Sequence, residues 1–178
     1  MSAVVEIRAA FVSPEANVRY GEVVTIAEHM LQTAAHAKSE GADDATVVAS
    51  LLHDVGHLLP AADSDDRNRR HANAGADWLL ELGFPEAVTE PVRLHIPAKR
   101  YLVAVDPGYH AQLSAASVHT LRLQGGPFDE DECAAFLRDP FAKTAMAVRR
   151  WDEAGKVEGI DVPAIDAYEP MILRLRDR

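Results

Sequence analysis

The sequence predicts an all-α fold in a single domain, and three observations carry that prediction. Apolar residues recur at spacings of three and four through most of the 178 residues, the period of a helix with one buried face. No run alternates apolar and polar residues convincingly over strand length, and no segment repeats. Proline and glycine punctuate the apolar stripes and nowhere concentrate into a linker. A chain of this length holds one domain with one substantial core, and roughly seven to nine helices account for it.

Taken in order, residues 1–20 give the weakest signal. Ile7 to Val12 fits strand or helix, and Ser13-Pro14-Glu15 has the form of an N-cap with proline in the first turn. Tyr20-Gly21-Glu22 is a short polar loop or the start of a helix. From Glu22 to Glu40 the stripe Val23, Ile26, Ala27, Met30, Leu31 and Ala34 marks an amphipathic helix closed by Gly41. His29 lies close to that stripe and points inward; His36, nearer the end, is structural or exposed. Asp43 or Asp44 caps a helix running to about Leu58, apolar on most sides, with His53, Asp54 and His57 at its C-terminal end.

Residues 60–70 read as a charged, solvated loop. His71 then opens a helix through Trp78 and Leu79 to Gly83, with Ala72, Ala74, Gly75 and Ala76 allowing close packing. Pro85 starts the next helix, which Pro97 ends or kinks just past His95. The apolar run Leu102 to Val105 and the turn Asp106-Pro107-Gly108 follow. A short helix runs from Ser114 to Leu123, and another from its cap Asp129 through Leu137. Phe141 to Lys156 is helical with Ala145, Val148 and Trp151 inward and Asp152 beside them. Asp161-Val162-Pro163 begins the last helix.

Charge and composition remove several classes of function. The formal net charge of −10 argues against a nucleic-acid surface. It leaves a small anionic ligand open, because a metal centre reverses the field locally. No apolar stretch is long enough to span a membrane, and Met1 to Ala10 does not read as a signal peptide. Cys133 is the single cysteine, which excludes an intramolecular disulfide or a thiolate cluster and fits a reducing cytoplasm.

The chemistry concentrates in Leu51-Leu52-His53-Asp54-Val55-Gly56-His57. A buried aspartate beside a histidine is costly without partners, and a metal would resolve that cost. Six candidate ligands stand on five predicted helices: His29, His53, Asp54, His71, His95 and Asp152. Singly, each has a plain alternative; His29 alone reads as well as a core histidine bonded to backbone. The adjacent His-Asp pair favours convergence. Nitrogen and oxygen ligands of this kind suit iron, manganese, zinc or cobalt.

The order His29, His53-Asp54, Asp152 resembles the defining pattern of the HD-domain superfamily, whose members bind metal in an all-helical bundle. His71 and His95 resemble the additions of its two-metal subset. The segments His95-Ile-Pro-Ala-Lys99-Arg-Tyr101, Val105-Asp106-Pro107, Leu123-Gln-Gly-Gly-Pro127 and Arg149-Arg-Trp-Asp152 are similar to the PhnZ-like, phosphonate-degrading HD oxygenases. The likeness runs from about Tyr20 to Tyr168 and treats residues 1–178 as one HD domain.

That resemblance implies two iron ions in a mixed-valent Fe(II)/Fe(III) pair. His29, His53, Asp54 and Asp152 would hold one, and Asp54, His71 and His95 the other. It implies that Lys99, Arg149, His57 and Ser117 meet the phosphonate. Tyr20 and Glu22, set closer together than in the best-known members, would gate the second iron and meet a substrate amine. The implied reaction is O2-dependent cleavage of the C–P bond of a 1-hydroxy-2-(amino or trimethylammonio)ethylphosphonate. It would release phosphate and glycine or glycine betaine, with no nucleic-acid or membrane partner. Two alternatives remain at this level: a metal-dependent HD phosphohydrolase acting on a nucleotide or other phosphate ester, and a non-catalytic ligand-binding HD protein.

Overall fold

The computed structural model describes residues 3–19, 21–60 and 64–176, Ser64 by its backbone alone. Among these residues the chain is helical without strands. The α-helices are α1 (Ala3–Phe11), α2 (Ile26–Ser39), α3 (Asp44–Leu52), α4 (Ser64–Glu81), α5 (Glu86–Val105), α6 (Pro107–Gln112), α7 (Ala115–Leu123), α8 (Glu130–Leu137), α9 (Ala142–Ala154) and α10 (Glu169–Arg176). Short 3-10 turns occupy Glu15–Asn17, Val55–Leu58 and Ile165–Tyr168. The tally exceeds seven to nine because Ile7 to Val12 resolves largely into α1 and because Asp106 caps a helix of its own, α6, where a simple turn was expected.

Local chemistry sets most helix starts. Thr25 Oγ1 accepts from the Glu28 N–H at 3.2 Å while Glu28 Oε2 accepts from the Thr25 N–H at 2.8 Å. This capping box starts α2 at Ile26, later than the apolar stripe beginning at Val23 predicts. Asp43, not Asp44, caps α3 through the Thr46 N–H at 2.8 Å. Ser114 and Asp129 cap α7 and α8 as expected.

Several boundaries depart from expectation for physical reasons. The α3 helix stops at Leu52, so His53 and Asp54 lie in a turn and not inside a helix reaching Leu58. The chain there presses against α4 backbone: a Cβ added to Gly56 would lie 1.9 Å from the His71 carbonyl oxygen. Residues 64–70, expected as loop, form the first turns of α4. Asp65 and Asp66 face its positive end, and Arg70 pairs with Asp66 at 3.0 Å, four residues back. His71 therefore sits inside α4. Residues 61–63 of the expected loop lie outside the described residues.

Pro97 does not end α5, which continues through both Pro91 and Pro97 to Val105. A proline inside a helix costs about 3 kcal/mol. Burying each of Val88, Val92, Ile96 and Leu102 against α3, α4 and α9 returns roughly 1.5–3 kcal/mol per side chain. Packing outweighs the two missing hydrogen bonds. Asp161-Val162-Pro163 is irregular, and α10 begins only at Glu169.

Two helical hairpins, α2–α3 and α4–α5, make the body of the fold, and α9 packs across α5 and α2. The main core joins Met30, Leu51, Leu52, Leu79, Val92 and Trp151. Gly56 is where the link between the hairpins touches α4. Gly56→Ala should cost about 3 kcal/mol or more, because backbone cannot yield as a side chain does. A fall in Tm of about 6–12 °C is expected by calorimetry, with metal lost first from the cluster containing His71; an unchanged Tm would show that the contact relaxes freely.

Candidate metal centre

The six candidate ligands come from five places in this scaffold. The α2 helix presents His29, the turn after α3 presents His53 and Asp54, α4 presents His71, α5 presents His95 and α9 presents Asp152. The fold brings all six together. His29, His53 and Asp152 form one cluster and Asp54, His71 and His95 a second, the ligand atoms of each lying within 4.8 Å of one another.

The imidazoles are aimed by the backbone. The Nδ1 of His29 donates to the Gly155 carbonyl at 2.9 Å, that of His53 to Ser50 at 2.8 Å, that of His71 to Arg67 at 3.2 Å and that of His95 to Val92 at 2.7 Å. A carbonyl oxygen only accepts, so each Nδ1 carries the proton and each Nε2 presents a lone pair. Those lone pairs converge: the two Nε2 atoms of His29 and His53 are 3.1 Å apart, and those of His71 and His95 are 3.0 Å apart. Protonation does not relieve the crowding. Burial, as the largest influence, lowers the pKa of His29 and His95 and takes that of His53 to about 3. Facing lone pairs beside carboxylates are repulsive unless a cation lies between them, and the donor set fits a metal at each cluster.

Asp54 divides itself between the two. Its Oδ2 is 3.6 Å from His29 Nε2 and 3.5 Å from His53 Nε2, while its Oδ1 is 3.3 Å from His71 Nε2 and 3.5 Å from His95 Nε2. One oxygen toward each cluster is the geometry of a bridging carboxylate. Burial pushes the Asp54 carboxyl up, but the surrounding His53, His57 and His71 outweigh it and hold the group well below the usual range. Together the two clusters form a candidate dinuclear metal site.

Both clusters open into a cavity of about 440 Å³. Lys99 lines it, 4% exposed, its Nζ donating to Thr120 Oγ1 at 2.9 Å. Among the described residues the ammonium has no carboxylate partner. Burial, then Arg149 and Lys156, depress its pKa well below 10.5. A cation held this way binds an anion readily. His57 also lines the cavity, stacked on His71 with ring centroids 4.0 Å apart and its Nε2 3.9 Å from Asp54 Oδ1.

Arg149 lines the same cavity, on the face of α9 that carries Asp152. Its guanidinium contacts Asp152, donates to Tyr109 Oη at 2.6 Å and pairs with Glu153 at 2.6 Å. Most of its donors are spent on protein, so its direct contribution is to hold the Asp152 carboxylate in place. Ser117 lines the cavity, but its hydroxyl donates to Glu153 Oε2 at 3.1 Å and accepts from Lys156 Nζ at 2.8 Å. Glu22 lines it too, bonded by Ser114 Oγ at 2.6 Å and paired with Lys156 at 3.1 Å. Tyr20 lies outside the described residues.

Sequence reasoning passed over Glu153, Lys156 and Gly155. The first two continue the face of Arg149 and Asp152 at spacings of three and four, a signal that was available. Gly155 gave none: a Cβ there would meet Thr33 Oγ1 at 2.6 Å, so only glycine lets the end of α9 bring its carbonyl to His29.

A family model of the HD domain matches residues 26–171, a span that contains all six ligand candidates. The chain belongs to the HD-domain family. Its similarity to curated HD-domain relatives is more specific. It is 44% identical to a [1-hydroxy-2-(trimethylamino)ethyl]phosphonate dioxygenase (glycine-betaine-forming) of Leisingera caerulea, over 89% of this chain and 82% of the relative. It is 43% identical to a hydroxymethylphosphonate dioxygenase of Gimesia maris, over 84% of this chain and 76% of the relative. An uncharacterised protein of Acanthamoeba polyphaga mimivirus is 30% identical over 86% of this chain and 72% of its own length. The resemblance to phosphonate-degrading HD oxygenases is borne out by the first two names.

Proposed function

We propose that this HD-domain chain is an iron-dependent oxygenase that breaks the C–P bond of a 1-hydroxyphosphonate with O2, releasing phosphate and a carboxylic acid. The observation that carries the reading is Lys99, a buried cation without a carboxylate partner among the described residues, lining the cavity shared by the two metal clusters. Both named relatives are dioxygenases of hydroxyphosphonates, which supports an oxygenase over a phosphohydrolase using the same ligands. The stoichiometry closes. The reacting carbon loses its hydrogen and its bond to phosphorus, and each product gains one oxygen atom from O2.

A mixed-valent Fe(II)/Fe(III) pair, bound by His29, His53, Asp54 and Asp152 on one side and Asp54, His71 and His95 on the other, would supply O2 activation and a Lewis-acid seat for the hydroxyl and phosphonate oxygens. The chain's own residues do the positioning. Lys99 meets the phosphonate as a point charge, oriented by Thr120, whose hydroxyl donates to the Ser117 carbonyl at 3.2 Å and so turns a lone pair to the ammonium. His57, which lines the same cavity beside Asp54, would be a further donor to that anion. Arg149 contacts Asp152 and holds its carboxylate oriented. The reducing cytoplasm suits both Fe(II) and the free thiol of Cys133.

Phosphate release from a hydroxyphosphonate is expected to require both Fe(II) and O2. Stopped assays under argon and in air read the difference directly, and equal release under argon sinks the proposal.

A further inference from the structure

The two named relatives are almost equally similar to this chain, yet one name carries a quaternary ammonium and the other does not. The cavity wall bears on that choice. Apart from the metal-cluster residues Asp54 and Asp152, Glu22 is the one carboxylate among the described residues that line the cavity. Its charge is already met: Lys156 Nζ sits 3.1 Å from Glu22 Oε1. Lys156 is held there by Glu153 at 3.1 Å and by Ser117 Oγ at 2.8 Å, and its side chain is only 11% exposed. Glu153 in turn is shared with Arg149 at 2.6 Å. Among the described lining residues no carboxylate is left over for a substrate cation.

The other means of holding an ammonium is an aromatic face. Among the described lining residues there is no phenylalanine, tyrosine or tryptophan. The lining also includes the apolar side chains of Val24, Ile26, Ala115 and Ala116. A cationic substituent placed there would approach Lys156 and, among the described lining residues, gain neither a free carboxylate nor a phenylalanine, tyrosine or tryptophan ring. An uncharged one would meet apolar surface at no electrostatic cost.

We infer that Lys156, by occupying Glu22, is a specificity-determining residue that selects hydroxyphosphonates without a cationic group. This rests on the oxygenase reading above and narrows its substrate class to an uncharged carbon substituent, from hydrogen to a small alkyl group.

The test separates charge from size with an isosteric pair. Phosphate release by the iron-loaded full-length enzyme is measured with 1-hydroxy-2-(trimethylammonio)ethylphosphonate and with its uncharged tert-butyl counterpart, 1-hydroxy-3,3-dimethylbutylphosphonate. Hydroxymethylphosphonate is the third substrate. The wild-type kcat/KM is expected to favour the uncharged isostere by at least about tenfold. Lys156→Met should shrink that ratio by about tenfold, and Lys156→Arg should preserve it. A wild-type ratio near one, or one favouring the cation, overturns the inference and needs no variant to do so. An unchanged ratio in Lys156→Met overturns the role of Lys156. Release from none of the three substrates overturns the oxygenase reading and this inference with it.

Discussion

Asp54→Ala is expected to empty both clusters. Its two oxygens face different imidazole pairs, Oδ2 toward His29 and His53 and Oδ1 toward His71 and His95. Removing the carboxylate strips an anionic ligand from each side at once, leaving His71 and His95 alone on one side and His29, His53 and Asp152 on the other. Removing an outer partner of a ligand commonly costs about 10- to 100-fold in metal affinity or activity, and loss of a shared ligand must exceed that. Metal per chain should drop toward zero in Asp54→Ala, with activity below about a hundredth of wild type. His95→Ala provides the contrast, because His95 belongs to a single cluster and its loss should spare the His29–His53–Asp152 side. Metal analysis of the two variants side by side decides the matter. If Asp54→Ala retains one tightly bound metal, the carboxylate is not shared.

Lys99→Met should act on substrate binding and leave metal content intact. The ammonium is buried, has a single hydroxyl partner and lies four residues beyond His95 on α5. A hydrogen bond to a charged group is worth about 1.5–3 kcal/mol, which corresponds to a rise in KM of about 10- to 150-fold. The pH dependence has a definite sign. Burial, Arg149 and Lys156 lower the Lys99 pKa below 10.5, so the cation is present at lower pH and lost as pH rises through the depressed value. Wild-type KM should therefore climb toward alkaline pH at a point earlier than an ordinary lysine gives. The variant should lack that limb. A KM in Lys99→Met equal to wild type across the range would remove Lys99 from the anion site.

The helical class and the six converging residues were legible because they rest on local signals. Asp43, Ser114 and Asp129 announce helix starts by side-chain chemistry alone. The His-Asp pair stands out because a buried carboxylate needs partners. What was not legible depends on contacts distant in sequence. Nothing near Leu52 announces that α3 stops there, and the close approach of Gly56 to the backbone of His71 is equally invisible locally. Pro97 reads as a terminator until three packed neighbours are counted against it. The opening of α4 hid because its turns face solvent and carry charge pairs in place of an apolar stripe. Arg149 showed its proximity to the site through spacing, but not that Asp152, Tyr109 and Glu153 already claim its donors.

The position of Asp54 on the link between the two hairpins has a thermodynamic consequence. Each hairpin contributes one imidazole pair, and the carboxylate on the link belongs to both. A metal bound at either pair fixes the aspartate and so leaves its other oxygen already oriented for the second metal. Ordering that would otherwise be charged to each binding event is met once, and by reciprocity each metal raises the affinity for the other. Loading is then expected to be cooperative, a metal titration showing the second metal bound more tightly than the first, and metal binding should favour the folded arrangement of the two hairpins.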